Sequence, residues 1–360
     1  MTATLATVVG CIDIDATGAF FVEECGGRIE SISPADDPQE VSVALAGSTI
    51  SLRRAKRDDA IHFVVRDPGV IAAQTLVAPN GLVVEFRPRS ANVVVPPARP
   101  ALSIVRAGDD FGTGRAGMGY RDLLPDRWGG AFIASHIRIA DGGDVADYVH
   151  SHRIRFQMIY CVRGWVDLVY EDQGEPIRLE AGDCVLQPPG IRHRVLRSSP
   201  GLEVIEIGCP AVHDTLVEHE ITLPTARFDP DRRFDGQRFV RHVAARADRQ
   251  RYPQPGLVGR DTGIGAATDG LASVVIVDAE AVADPVELTH DGEFSFAVVI
   301  GGSAGIRVVD GEDVTETHVA EIDALAFPPG AAWTWADWSS DFRFLEVSFP
   351  SGAVRSRLNG

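Results

Sequence analysis

Three of the ten histidines in this 360-residue chain fall in a pattern that could do chemistry. His150-Ser-His152 is followed after four residues by Gln157 and after six more by Gly164, and downstream Pro188-Pro189-Gly190 is followed after two residues by His193. On a β-strand, positions i and i+2 share a face, so His150 and His152 present two imidazoles side by side. Gln157 stands an odd number of residues beyond both. It joins them only if the strand breaks or turns in between, which the polar His-Arg-Ile-Arg stretch permits. Pro189-Gly190 is a turn able to swing His193 in from another part of a sheet. Three neutral nitrogens and one amide oxygen suit a first-row divalent ion and leave two positions open to water or substrate. A single histidine on a strand is usually a packed or surface residue, but three at this spacing, beside a glycine and a Pro-Gly turn, point to a metal.

The elements that must position these groups read as strands almost throughout. Segments such as 18–24 (GAFFVEE), 131–140 (AFIASHIRIA), 165–172 (WVDLVYED) and 342–350 (FRFLEVSFP) are β-branched, aromatic or alternating, with Gly, Pro and Asp between them. The fold class predicted is all-β, of sandwich or barrel type. The Pro-rich stretch 93–103 and the Arg/Asp-rich stretch 225–237 read as connectors. Shifting the chain by 140 residues aligns Asp183–Gly190 with Asp323–Gly330, Glu206 with Glu346, Pro210 with Pro350 and His150 with His290. Residues 105–212 and 245–352 are therefore read as two copies of one β unit, preceded by an N-terminal β module, 1–95, with no copy of its own. On that alignment Gly292 stands for the second histidine, Ala297 for Gln157 and Trp333 for His193. One imidazole cannot hold a labile divalent ion, so the second copy is expected to be structural. Trp333, Trp335 and Trp338 are either packing or the lining of an apolar groove.

The first copy resembles the cupin superfamily, whose two-part signature is H-x-H-x4-(E)-x6-G followed by P-x-G-x2-H, and the tandem arrangement resembles bicupins. The resemblance implies two small jelly-roll barrels and one mononuclear metal in the first, with His150, His152 and His193 as ligands. Gln157 occupies the place where the family usually has glutamate. Three histidines and a neutral amide leave the centre at +2, so a substrate that supplies charge, an enolate, phenolate or carboxylate, is expected to chelate the open positions. Similar three-histidine cupins include gentisate-type dioxygenases, and similar cupins with glutamine include isomerases and ring-opening enzymes. The favoured expectation is an Fe(II)-dependent dioxygenase acting on a small oxygenated anion; Mn, Ni, Zn, Co and Cu remain alternatives. A non-redox isomerase is the second reading and a non-catalytic metabolite-binding barrel the third.

Alternation in 132–140 puts His136 and Arg138 on one face. They are the candidate catalytic pair, Arg138 to grip a substrate carboxylate and His136 as a base, unless that face is simply solvated. The Gly-rich segment 112–130 is either a lid or a surface connection. With 34 Lys+Arg against 51 Asp+Glu, the net charge of −17 disfavours nucleic acid and anionic lipid surfaces. No apolar run approaches the roughly 18 residues of a membrane span. The five cysteines, Cys11, Cys25, Cys161, Cys184 and Cys209, are widely spaced and read as reduced, mostly buried thiols. A cytoplasmic homo-oligomer, most simply a dimer, with a small-molecule partner is the expectation.

Overall fold

Short alternating stretches bounded by Gly, Pro and Asp form antiparallel sheets over most of the chain, as period-two patterning requires. The computed structural model describes residues 6–34, 37–67, 73–88, 93–114 and 117–357. Its backbone clusters into two units, Met1–Asn92 and Val93–Gly360.

The first unit corrects one expectation. Residues 18–24, taken for a strand, lie mostly in a helix, Ile14–Glu23, whose start is fixed by Asp13: its carboxylate accepts the Ala16 N–H at 2.9 Å. Phe20 and Phe21 pack this helix on Val41, Val43, Ile50 and Leu52 of a four-stranded sheet. The module is thus mixed, with a further three-stranded sheet running through His62–Asp67, Val83–Pro88 and Gln74–Val77.

The second unit holds two barrels, each of two facing sheets. In the first barrel, one sheet runs Cys184–Leu186, Phe156–Arg163, Leu202–Cys209, Ile133–Ile139 and Gly119–Asp122 in spatial order. The other runs Ile177–Glu180, Trp165–Tyr170, His193–Ser198, His150–Arg153 and Asp214–Val217. Alternation sorts the residues of the larger sheet. Phe156, Met158, Ile205 and Ile207 face away from the barrel and meet Phe294, Phe296, Leu345 and Val347 of the second barrel in one shared core. Cys161, Val204 and Leu202 face the first barrel's own interior.

The barrels also exchange strands. Ser103–Val105, which leads into the first copy, pairs with Ala324–Ala326 of the second. Val240–His242, which leads into the second copy, pairs with Cys184–Leu186 of the first. Arg155 bridges the copies as well, pairing with Glu293 at 2.8 Å.

The repeat is real, but its register is not uniform. After the Pro-Pro turns the 140-residue offset holds: Gly190 N–H donates to His152 O, and Gly330 N–H donates to His290 O. His290 therefore corresponds to His152, an offset of 138. The same offset relates Gln157 to Ser295, whose carbonyls accept from Gln187 and Phe327 respectively. The two-residue difference lies in a hairpin, which spans Trp165–Glu180 in the first copy and Ser303–Ala320 in the second. The expected equivalences of His150 with His290, of the second histidine with Gly292 and of Gln157 with Ala297 are corrected accordingly. Leu288 takes the place of His150, because each pairs across its sheet with the position of the third ligand, Trp333 and His193.

Candidate metal centre

His150 and His193 lie directly opposite each other on neighbouring antiparallel strands. Facing residues of such a pair bring their side chains into contact. Their rings are 4.3 Å apart, and the His152 ring is 5.1 Å from His150 and 5.3 Å from His193. One ligand atom from each of the three histidines lies within 4.8 Å of the others. Gly190, at φ 74°, closes the turn that delivers His193, a conformation glycine adopts without the steric penalty other residues meet.

The ring nitrogens facing away from this triangle are held. His150 Nδ1 lies 2.8 Å from Tyr148 O and His193 Nδ1 lies 3.1 Å from Ile191 O. A carbonyl only accepts, so both Nδ1 atoms donate and Nε2 is the lone-pair nitrogen of each ring. His152 Nδ1 is 3.1 Å from Thr215 Oγ1. Behind His150 stands the buried Asp147 carboxylate, 3.7 Å away, itself fixed by the Val195 N–H. Such outer partners orient imidazole ligands and raise their basicity.

Gln157 reaches the same interior because the chain changes sheets at residues 154–155, which resolves its odd spacing. Its Nε2 donates to Glu206 Oε1 at 2.8 Å. A carboxylate oxygen has no proton to give, so the amide nitrogen must face Glu206, and Oε1 is turned the other way. That Oε1 is buried with no hydrogen-bond partner among the described residues. Three oriented imidazoles and an orphaned buried amide oxygen fit a divalent ion with labile positions.

The cavity here has a volume of about 360 Å³ and is lined at this end by His152, His193, Gln157, Glu206, Gln187 and Ser135. Sequence reasoning missed Glu206, Gln187, Asp147 and His213. Glu206 left a signal, since it matched Glu346 in the repeat and shares inward parity with Val204; His213, on the cavity wall 5.4 Å from the His152 ring, left none. Glu206 also corrects the charge accounting, because a carboxylate stands beside the neutral amide.

His136 and Arg138 do not reach this cavity. They share a face, as expected, but it is the outer one: Ile133, Ser135, Ile137 and Ile139 line the interior, and His136 and Arg138 edge a separate depression with Arg163, Glu203 and Glu321. His136 Nε2 is 2.9 Å from Glu203 Oε2. Burial holds the imidazole below its usual pKa, against the opposing pull of that carboxylate. The catalytic pair inferred from alternation is thus an ion-pair network outside the barrel.

Segment 112–130 is neither lid nor loose connection over most of its length. Gly119–Asp122 pairs with Ile133–Ile139, Tyr120 and Met118 line the cavity, and Trp128 is fully buried against Phe132 and Phe294; residues 115–116 lie outside the described residues. All five cysteines are free and buried, and burial raises the Cys161 thiol to about 12.

In the second barrel the equivalent set is Leu288, His290, Ser295 and Trp333. Trp333 is buried and stacked on Phe327 at 4.2 Å, His290 Nε2 lies 2.7 Å from Phe327 O, and Trp335 is fully buried. Trp333 and Trp335 are thus core residues, and Trp338 is half-buried against the same cluster.

Two interlocked jelly-roll barrels with a histidine triangle in the first make this a bicupin fold. Residues 135–207, within the barrel that carries the three histidines, match the family model of the cupin domain. Among solved structures, oxalate decarboxylase of Bacillus subtilis, described with Mn(II) centres, is similar at 12% identity and a TM-score of 0.50, over 66% of this chain and 74% of that one. Procruciferin, an 11S globulin from Brassica napus, matches at 10% identity and 0.50, over 73% and 87%. Protein Ylba from E. coli matches at 11% and 0.51, over 70% and 91%. Likenesses at these identities speak to the fold. No curated protein matches the sequence.

Proposed function

We propose that the chain is a metal-dependent bicupin enzyme acting on a small oxygenated metabolite that chelates the ion held by the first barrel. The observation that carries this reading is the triangle of His150, His152 and His193, with outward nitrogens already committed to Tyr148 O, Thr215 Oγ1 and Ile191 O. Fe(II) is the ion we favour, because imidazoles and one carbonyl-type oxygen suit it and leave sites for substrate. Mn(II), present in the similarly folded oxalate decarboxylase, is the alternative. A bound ion would act as a Lewis acid on substrate oxygens and, if redox-active, give access to O2 chemistry.

The chain's own residues do the rest. His150, His152 and His193 would hold the ion; Gln157 turns its amide oxygen toward the interior because Glu206 holds its nitrogen. Ser135 and Gln187 offer hydrogen-bonding groups beside the substrate's oxygens, and the apolar remainder of the wall keeps water from them. Elemental analysis of untagged protein should find about one divalent ion per chain, reduced to trace in His193→Ala. Oxygen uptake dependent on Fe(II) supports the dioxygenase version; turnover under strict anaerobiosis with Mn, Ni or Zn supports the isomerase version. Protein purified without stoichiometric metal, and unable to take it up, would refute both.

A further inference from the structure

Several strands that form the cavity carry a polar inward side chain followed by apolar ones, with Ile133 an apolar neighbour of Ser135 at the polar end. Inward-facing residues recur at every second position, each step advancing about 7 Å. Ser135 gives way to Ile137 and Ile139 on one strand, and Glu206 to Val204 and Leu202 on its neighbour. The pairing puts Ser135 opposite Glu206, Ile137 opposite Val204 and Ile139 opposite Leu202, so the layers are in register. On other strands Gln157 gives way to Ile159 and His193 to Val195, and Val166, Leu168, Met118, Tyr120, His213 and Thr215 also line the cavity. Among the described residues lining the cavity there is no Lys or Arg, and Glu206 is its one carboxylate. Arg138, the guanidinium expected to receive a substrate carboxylate, lies on the other side of the sheet.

We infer that the substrate carries its chelating oxygens at one end of a mostly hydrocarbon body, an aryl or branched alkyl group, and is not a small di- or tricarboxylate. The inference rests on the metal-site reading for the oxygen end and on the wall for the body. A two-carbon diacid would leave most of the 360 Å³ unfilled, would set its two negative charges beside Glu206 and would bury none of the apolar wall. A substrate with an apolar body fills the Ile137–Val204 and Ile139–Leu202 layers and removes that surface from water.

The full chain loaded with Co(II) is titrated anaerobically with catechol, 4-tert-butylcatechol, oxalate and malonate, following the Co(II) absorption. Independently, metal-free protein is titrated with the neutral fluorophore N-phenyl-1-naphthylamine. The tert-butyl group should tighten binding at least about tenfold over catechol, oxalate and malonate should bind more weakly than either, and the fluorophore should brighten. Val204→Phe, which fills an apolar layer, should cut 4-tert-butylcatechol affinity about tenfold and leave Co(II) content unchanged. Should that variant not fold, Ile139→Ser serves the same end. Diacids binding as tightly as 4-tert-butylcatechol, or a tert-butyl group that adds nothing, would overturn the inference while leaving the metal site standing. Failure to retain Co(II) with the fluorophore still bound would instead sink the metal-site reading and keep the apolar ligand.

Discussion

His193 shows how much one residue depends on its neighbours. Its ring lies opposite His150, is tied back by Ile191 O and rests against buried Tyr170 at 5.6 Å. Replacing it with alanine should abolish stoichiometric metal binding and leave the circular dichroism spectrum unchanged, because the barrel core is built by other residues. Glu206 makes a subtler case: Glu206→Ala frees the Gln157 amide to rotate, so metal affinity should fall about tenfold or more in chelator competition, with little change in the unfolding midpoint. The histidines were legible in the sequence because two share a strand and the third follows a Pro-Gly turn. The Gln157–Glu206 contact was not, since it joins residues 49 apart through a strand pairing that no local pattern announces.

At the scale of the element, parity is readable and absolute direction is not. The alternation in Ile133–Ile139 puts His136 and Arg138 together but leaves open whether that face lines the site or is solvated; the opposite face, with Ile137 and Ile139, is the one that walls the cavity. The repeat was legible for a similar reason and slipped for another: a hairpin two residues longer leaves turn motifs aligned while shifting the strands before them. In the second copy Trp333 stands where the first has His193. Trp333→Ala should cost about 3–5 kcal/mol in urea denaturation and leave metal content unchanged. That barrel also buries Glu346 with the Tyr252 hydroxyl donating to it at 2.6 Å. Burial raises the Glu346 carboxyl from 4.5 to about 7, against the lowering effect of that hydrogen bond. The folded state therefore holds this proton more tightly than the unfolded chain. Its contribution is fully present below about pH 4.5 and is lost as pH rises through about 7. Glu346→Gln should remove that slope, gaining up to about 3 kcal/mol relative to wild type between pH 4 and 8 in denaturation measured at both.

For the molecule as a whole, the all-β class and the tandem copies follow from periodicity, while the joining of the copies does not. Nothing in Ser103–Val105 or Val240–His242 says that each short strand completes the sheet of the other copy. Nor does alternation say whether Phe156, Met158 and Ile205 are covered by solvent, a partner or Phe294 and Val347. A chain cut after residue 212 would lose Val240–His242 and expose that shared core, so it should be insoluble or bind the dye 8-anilinonaphthalene-1-sulfonate strongly. The uncut second unit should melt as one cooperative transition by calorimetry. The exchange of leading strands also makes the two barrels mutually dependent: neither could be excised without taking an edge strand from its sibling.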